Sequence, residues 1–386
     1  MIGVKMFVLH NPHSFDMIFR PLSYFLVKKR AHLKYSHLLD LLFKNSDILV
    51  TIDYSESSLI TSRKFVRLPF FLRYIIVSLE VFIWARLNGI SHKVRFVKYD
   101  KGLKGLILIS FSYKSCVYLT KEKEKVFDQV RGISFHLSHY MIQTNNKSKV
   151  INKYKGKAVV MADVDISLNP YYRKYFDNDL LIFVVPFQVS NRFVVQEEFP
   201  SRSKQLLVSG TVHDLTLEEP ESYYTDFMQF FKNTAYHEIR GFFLKENFDC
   251  VDNRISPFRS DGNSLQSSYF KIDLVDLLNQ YQYVCYDREL SGAPAITTFE
   301  SIACGCIPIV HSGSLSGLDL DGKFDYIEFG ESLSDFKNFI INKYPIMINS
   351  ESINEQKNTN IADHMLNIAK KNLGLIESHF LDCEIN

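Results

Sequence analysis

Short apolar runs recur along the chain, each bounded by polar or turn-forming positions: LILISFS at 106–112, AVVMA at 158–162, LLIFVVPF at 180–187, LLVSG at 206–210, YVCYD at 283–287 and IPIVH at 307–311. Runs of four to eight such residues suit strands buried on both faces of a parallel sheet, with helical patterns between them. The N-terminal MIGVKMFVLHNPHSF reads as a first strand and turn, since it lacks the long apolar core and small-residue cleavage site of a signal peptide. Helices are predicted at Tyr223–Lys232, at Thr298–Ala303, over DLVDLLNQY (273–281), and at Asp363–His379, which is apolar at Met365, Ile368, Leu373 and Ile376. A charged, turn-rich stretch, Gln196–Lys204, separates two β/α halves of nearly equal size. The expected fold is α/β, with two Rossmann-like doubly wound domains facing a cleft: residues 1–200, residues 201–360, and a C-terminal helix, 361–386, crossing back. In such sheets ligands bind outside the carboxyl ends of the strands.

Composition narrows the class. Of 386 residues, 46% are hydrophobic and 23% charged, which excludes global disorder. A formal net charge of +2 gives no whole-protein field for nucleic acid. Between Arg63 and Lys104, however, ten Lys/Arg face only Glu80 and Asp100, among many aromatic side chains. Three readings are open for that region: a nucleic-acid patch, a membrane-surface patch, or a helical face with snorkelling cations. Nothing there resembles a nucleic-acid motif, and the membrane surface is preferred. The apolar stretch Leu68–Ala85 contains Arg73 and Glu80, each costing about 2.5–3.5 kcal/mol at a bilayer centre, so no span is expected. Six scattered cysteines without a CxxC pair point to a reduced, cytoplasmic chain without a zinc site.

The richest stretch is Glu289–Val310, ELSGAPAITTFESIACGCIPIV. Ser291 and Gly292 let backbone approach a phosphate, and the following helix offers free N–H groups at its start. Glu300, placed on the first turn of that helix beside Ser301, can accept two hydrogen bonds from a ribose diol; the alternative is a helix–strand connection with a surface Glu. Asp163-Val-Asp165 follows the AVVMA strand and is open to three readings: a cleft carboxylate, a metal-holding Asp-x-Asp, or, for Asp165, a helix N-cap. Gly210 permits a tight turn at the end of LLVSG, and Thr211 can bond a phosphate or sugar. His213 and Asp214 point to opposite faces if the segment is extended. His237 and Arg240 share a helix face if that segment is helical. Arg240 could then neutralise phosphate bidentately and His237 protonate a leaving phosphate, or both could mark a solvated helix end. His136 and His139 are acceptor-orienting residues or core histidines.

FESIACGCIPIV closely resembles the donor-nucleotide segment of glycosyltransferases of the B fold (GT-B). In that large group a second acid commonly lies eight positions before the Glu; here position 292 is Gly, and the nearest upstream acid is Glu289. An acid, a Gly-x-Pro loop, then Glu and Ala-Cys-Gly is similar to a narrower group of bacterial surface-polysaccharide transferases. FHLSHYMIQT (135–144), MADVDISLNPYYRKYF (161–176), VPFQVSNRF (185–193), SRSKQLLVSGTVHDL (201–215) and YHEIR (236–240) resemble segments around the cleft of retaining β-Kdo transferases and related lipopolysaccharide, O-antigen and capsule enzymes. The resemblance covers about residues 105–330 and implies a glycosyltransferase that moves Kdo from CMP-Kdo onto a growing bacterial surface glycan. It implies Asp214 as nucleophile, Asp163 as acid/base and His237 as a further catalytic group. Thr211, His213, Arg240, Lys271, Glu289, Ser291, Gly292, Glu300 and Ser301 would hold the donor, and His136, His139 and Asp165 the acceptor. No cofactor or metal is expected. The implied partners are a nucleotide sugar and a lipid-linked glycan, with no nucleic acid and with peripheral contact to the inner membrane through residues 63–104. The alternatives are a hexosyl or deoxyhexosyl transferase using a UDP-, GDP- or dTDP-sugar, an Mn²⁺-dependent A-fold transferase using Asp163 and Asp165, and a non-catalytic partner binding a nucleotide sugar or glycan in an assembly complex.

Overall fold

The computed structural model describes residues 7–14, 42–43, 48–54, 57, 65, 67–87, 89–96, 103–111, 121–137, 144–167, 176, 179–199, 201–213, 238–258, 273–287, 294–349 and 360–382. The helix expected at Tyr223–Lys232 lies outside them. Seven strands form the first sheet: β1 (Phe7–His10), β2 (Leu49–Ile52), β3 (Val94–Phe96), β4 (Ile107–Phe111), β5 (Gly132–Leu137), β6 (Ala158–Ala162) and β7 (Ile182–Val184). Their order is β3-β2-β1-β4-β5-β6-β7, parallel throughout. The strand order reverses between β1 and β4, which makes that the switch point of the sheet. β1, β5 and β6 are buried along their whole length, the state that near-continuous apolar sequence predicts.

The second sheet holds β8 (Ser203–His213), β9 (Val251–Phe258), β10 (Tyr281–Cys285), β11 (Ile307–Val310) and β12 (Ile327–Glu328), in the order β12-β11-β10-β8-β9 and again parallel. Its switch point lies between β8 and β10. The chain divides into one unit of Met1–Asp163, Tyr172–Phe187 and Ala369–Asn386 and a second of Val164–Tyr171 and Gln188–Ile368. Each unit carries its own parallel sheet, so two Rossmann-like α/β units are present. An A-fold transferase has one continuous nucleotide-binding domain, so the second five-stranded sheet overturns that alternative.

Among the described helices are α1 (Phe70–Leu87), α2 (Lys121–Gln129), α3 (Thr144–Lys153), α4 (Glu238–Phe243), α5 (Leu274–Asn279), α6 (Ile296–Ala303), α7 (Leu333–Asn338), α8 (Tyr344–Asn349) and α9 (Ile361–Asp382). The core of the second unit joins Leu206 and Val208 of β8, Ile239 and Phe243 of α4, Tyr283 of β10, Ile309 of β11 and Phe336 of α7. Each such side chain contributes about 1.5–3 kcal/mol when fully buried. α9 buries Met365, Ala369, Leu373, Ile376 and Phe380, the i, i+4, i+8 stripe that its sequence shows.

Among the expected boundaries that move, two bear on the site. β8 does not end at Gly210; it runs on to His213, because its ladder with β9 continues through His213↔Phe258. Its ladder with β10 stops at Val208↔Cys285. Beyond that rung β8 outruns its neighbour, and the sheet opens on the side where the strand order reverses. α6 begins at Ile296, after Ala295 in an extended conformation, so Glu300 stands on the second turn rather than the first.

Candidate functional site

At the carboxyl edge of the second sheet, four residues from separate elements converge: Gly210 of β8, Arg240 of α4, Asp287 two residues past β10 and His311 one residue past β11. Asp287 is 2% exposed, His311 2% and Arg240 5%. The Asp287 carboxylate accepts from the backbone N–H of Ile239 at 3.3 Å and of Arg240 at 2.8 Å, satisfying donors in the first turn of α4. Its Oδ2 lies 3.6 Å from Arg240 Nε and its Oδ1 3.7 Å from His311 Nε2. One carboxylate therefore caps a helix and faces two nitrogen bases inside the fold. Cys285 lies close enough to feel this pair: burial pushes its thiol well up, the Asp287 charge adds to that, and Arg240 opposes it.

Arg240 needs Gly210. The glycine has φ +130°, outside the range L side chains ordinarily adopt, and a Cβ there would meet Arg240 Nη1 at 3.0 Å and Cζ at 3.3 Å. Gly210 is thus a mid-strand opening for a guanidinium rather than the tight turn expected from sequence. The Gly210→Ala variant is expected to lose about 1–3 kcal/mol from backbone strain alone, at about 2–4 °C in Tm per kcal/mol, while pushing the guanidinium off the strand. Thermal melts check this; an unchanged Tm would mean that β8 relaxes there at no cost.

Arg240 is buried and paired, so its reading as a solvated helix end fails. Glu300 is also buried, which corrects the surface-Glu alternative. Burial first, then the Glu300 charge, pushes the Cys304 thiol up to about 12, so Cys304 is no thiolate nucleophile at neutral pH. Ser301 is buried and its hydroxyl donates to Thr298 O at 2.7 Å, a bond within α6. Gly305 follows α6 in the left-handed region at φ +81°, with Cys306 N bonded back to Ser301 O at 2.9 Å. A Cβ at Gly305 would sit 3.0 Å from Arg202 Nη2, the nitrogen that donates to Cys304 O at 2.6 Å and Asn279 Oδ1 at 3.1 Å. The Ala-Cys-Gly-Cys turn is small because an arginine clasps it.

In the first unit, His136 at the end of β5 and Asp163 just past β6 are both buried, with Nε2 and Oδ1 3.7 Å apart. Asp165 is exposed, and its Oδ1 accepts from Ser167 N two residues on, at 2.9 Å. One carboxylate of the Asp-x-Asp is therefore buried beside a histidine while the other faces out. Among the described residues no group of three or more His, Cys, Asp and Glu side chains could hold a metal ion.

Sequence reasoning passed over a second network, at the carboxyl ends of β1 and β2 in the first sheet. His10, closing β1, has Nδ1 3.0 Å from Thr51 Oγ1 and Nε2 3.0 Å from Asp53 Oδ2. Asn11, at φ +47°, donates from Nδ2 to Asp53 Oδ1 at 2.6 Å and accepts from Asp53 N at 2.8 Å. These bonds fix the carboxyl ends of β1 and β2. Asp287 and His311 were also passed over, although each closes a predicted apolar run; a charged residue at the carboxyl end of a buried strand was the available signal.

Asp214, His237, Lys271, Glu289, Ser291, Gly292 and His139 lie outside the described residues, as do the side chains of Thr211 and His213, whose backbone belongs to β8.

No protein-family model matches the sequence, and no curated protein matches it. Among solved structures the chain is similar to a glycosyltransferase from Rickettsia africae ESF-5, with 12% identity over 99% of this chain and 98% of that one, at a TM-score of 0.41. It is similar to HepE of Anabaena, solved in complex with UDP and glucose, with 12% identity over 99% and 100% and a TM-score of 0.42. It is similar, too, to a sucrose-phosphate synthase from Thermosynechococcus elongatus, with 8% identity over 99% and 98% and a TM-score of 0.41. Likenesses of this degree say nothing of chemistry, which the residues themselves must supply.

Proposed function

We propose that the chain is a B-fold glycosyltransferase, an enzyme that moves a sugar from a nucleotide donor onto a growing bacterial surface glycan. The observation that carries this reading is the Arg240–Asp287–His311 cluster beside Gly210, at the point where β8 outruns β10. A crevice outside the carboxyl ends of parallel strands, at a switch point, is where such sheets take nucleotides. A guanidinium held by a carboxylate is preorganised to meet a phosphate without first giving up rotamer freedom.

The donor follows from the sequence resemblance: CMP-Kdo, with UDP-, GDP- or dTDP-sugars behind it. In the retaining scheme the Asp214 carboxylate attacks the anomeric carbon, and the bond from that carbon to the phosphate oxygen breaks. CMP leaves with the electron pair, its charge met by Arg240. The acceptor hydroxyl then displaces Asp214, and its proton passes to Asp163, beside His136. Two inversions give net retention. His237 is proposed to protonate the leaving phosphate, and Lys271, Glu289, Ser291, Gly292, Thr211 and His213 to line the donor site with Glu300. His139 and Asp165 remain proposed acceptor contacts, and a lipid-linked glycan is the proposed acceptor.

The test is a thermal-shift panel of CMP, UDP, GDP and dTDP, each with Mn²⁺ and with EDTA. A ligand at 100 times its Kd stabilises by about 2.7 kcal/mol, enough to move Tm visibly. A shift with CMP alone, equal in both metal arms, is the expected result. A shift with another nucleotide would discard the Kdo donor and keep the transferase. No shift with any nucleotide would sink the reading in favour of a glycan-binding partner.

A further inference from the structure

We infer that the outer face of α1 docks on an anionic lipid surface. α1 is apolar on both sides. Its inner face, Val77, Val81 and Trp84, is buried. On the opposite face Phe71 is 66% exposed, Leu79 59% and Phe82 61%, with Ile75 exposed between them. At 100° per residue these four side chains fall within one quadrant, and Arg86 falls in the same quadrant at the helix end. Half of the large apolar side chains exposed in the described chain lie between Phe70 and Phe96. An exposed apolar patch of this kind marks an interaction surface.

Charge selects the partner. From Arg67 to Phe96 the only acidic residue is Glu80, and it is withdrawn from the surface, buried on the inner side where its Oε1 accepts from Ser57 Oγ at 2.5 Å. Arg67 and Arg86 are exposed at the two ends of the stripe, and the Arg73 guanidinium stands 5.8 Å from the Phe70 ring centroid. An apolar stripe with arginines at both ends and no exposed carboxylate complements a layer that is apolar inside and anionic at its face. A helix of 18 residues is about 27 Å long, so it would lie along such a surface, and no helix among the described residues is long and apolar enough to cross a membrane. The inference stands on α1 alone, whatever the second unit binds.

The experiment is vesicle co-sedimentation of the full chain without nucleotide or sugar, on phosphatidylglycerol:phosphatidylcholine vesicles and on phosphatidylcholine alone. Binding is expected on the anionic vesicles and to be at least about tenfold weaker on the neutral ones, each cation near the surface strengthening it about fivefold. Phe71→Ser with Phe82→Ser should weaken anionic binding at least about tenfold at unchanged Tm, whereas Phe71→Leu with Phe82→Leu should keep it. Should the serine pair fail to fold, Arg67→Glu with Arg86→Glu reads the same surface through charge, and must abolish the anionic preference. The inference falls if the wild type ignores both vesicles, or if neither variant pair changes binding. It also falls if the serine pair instead turns a dimer into a monomer, which would name a second copy as the occupant.

Discussion

Replacing Asp287 with alanine is expected to destabilise the second unit by about 3–5 kcal/mol, the range for breaking a buried ion pair from one side. Two backbone N–H groups of α4 lose their acceptor, and the Arg240 guanidinium, 5% exposed, is left in the interior without that carboxylate. At about 2–4 °C per kcal/mol the melting temperature should fall by more than any single surface change could cause. Asp287→Asn separates the two roles. The amide oxygen can still accept from α4, so a loss close to that of alanine would assign the cost to charge, and a much smaller one to capping. A bound phosphate would stand in for the missing carboxylate. Inorganic phosphate should therefore restore part of the stability of Asp287→Ala and do less for the wild type. A loss under about 1 kcal/mol in both variants would mean that Arg240 does not depend on Asp287, and the proposed phosphate station would go with it.

The strands were legible where burial on both faces leaves an unbroken apolar run. AVVMA is β6 residue for residue, and IPIVH runs one residue past β11. β2 and β3 were not read, because LVTI and VRF are short and sit in a stretch whose cations and aromatic residues dominate the pattern. The end of β8 was misplaced because glycine inside a strand looks like its terminus, whereas Gly210 is there to admit Arg240. The start of α6 was misplaced because Ala295, at the cap position, offers no side-chain acceptor for the pattern to show. The candidate site was legible only by element. Arg240 and Glu300 were named from local spacing, but that Arg240 is buried and that its partner is Asp287 depends on α4 returning to the edge between β8 and β10. No window of sequence contains that juxtaposition. His136 and Asp163 show the opposite case: they end strands that pair in parallel register, His136 with Met161, so adjacency of the strands delivers adjacency of the side chains.

Glu300→Gln is expected to weaken nucleotide binding about 10–100-fold, the loss that follows when hydrogen bonds to a charged acceptor are removed at about 1.5–3 kcal/mol. Stability should move little or rise, since a buried carboxylate costs more to desolvate than the amide that replaces it. If the fold tolerates the change, Glu300 is kept for what it binds. The ribose reading makes a sharper demand. If Glu300 accepts from both hydroxyls of a ribose diol, the wild type should prefer a ribonucleotide over its 2′-deoxy counterpart, and Glu300→Gln should lose most of that preference along with affinity. Calorimetric titration of both nucleotides into both proteins gives the four dissociation constants. Equal preference in wild type and variant would remove Glu300 from the donor site. A large fall in Tm at unchanged affinity would make it a structural residue of α6, and the basis for a donor site there would reduce to Arg240 beside Gly210 at the switch point.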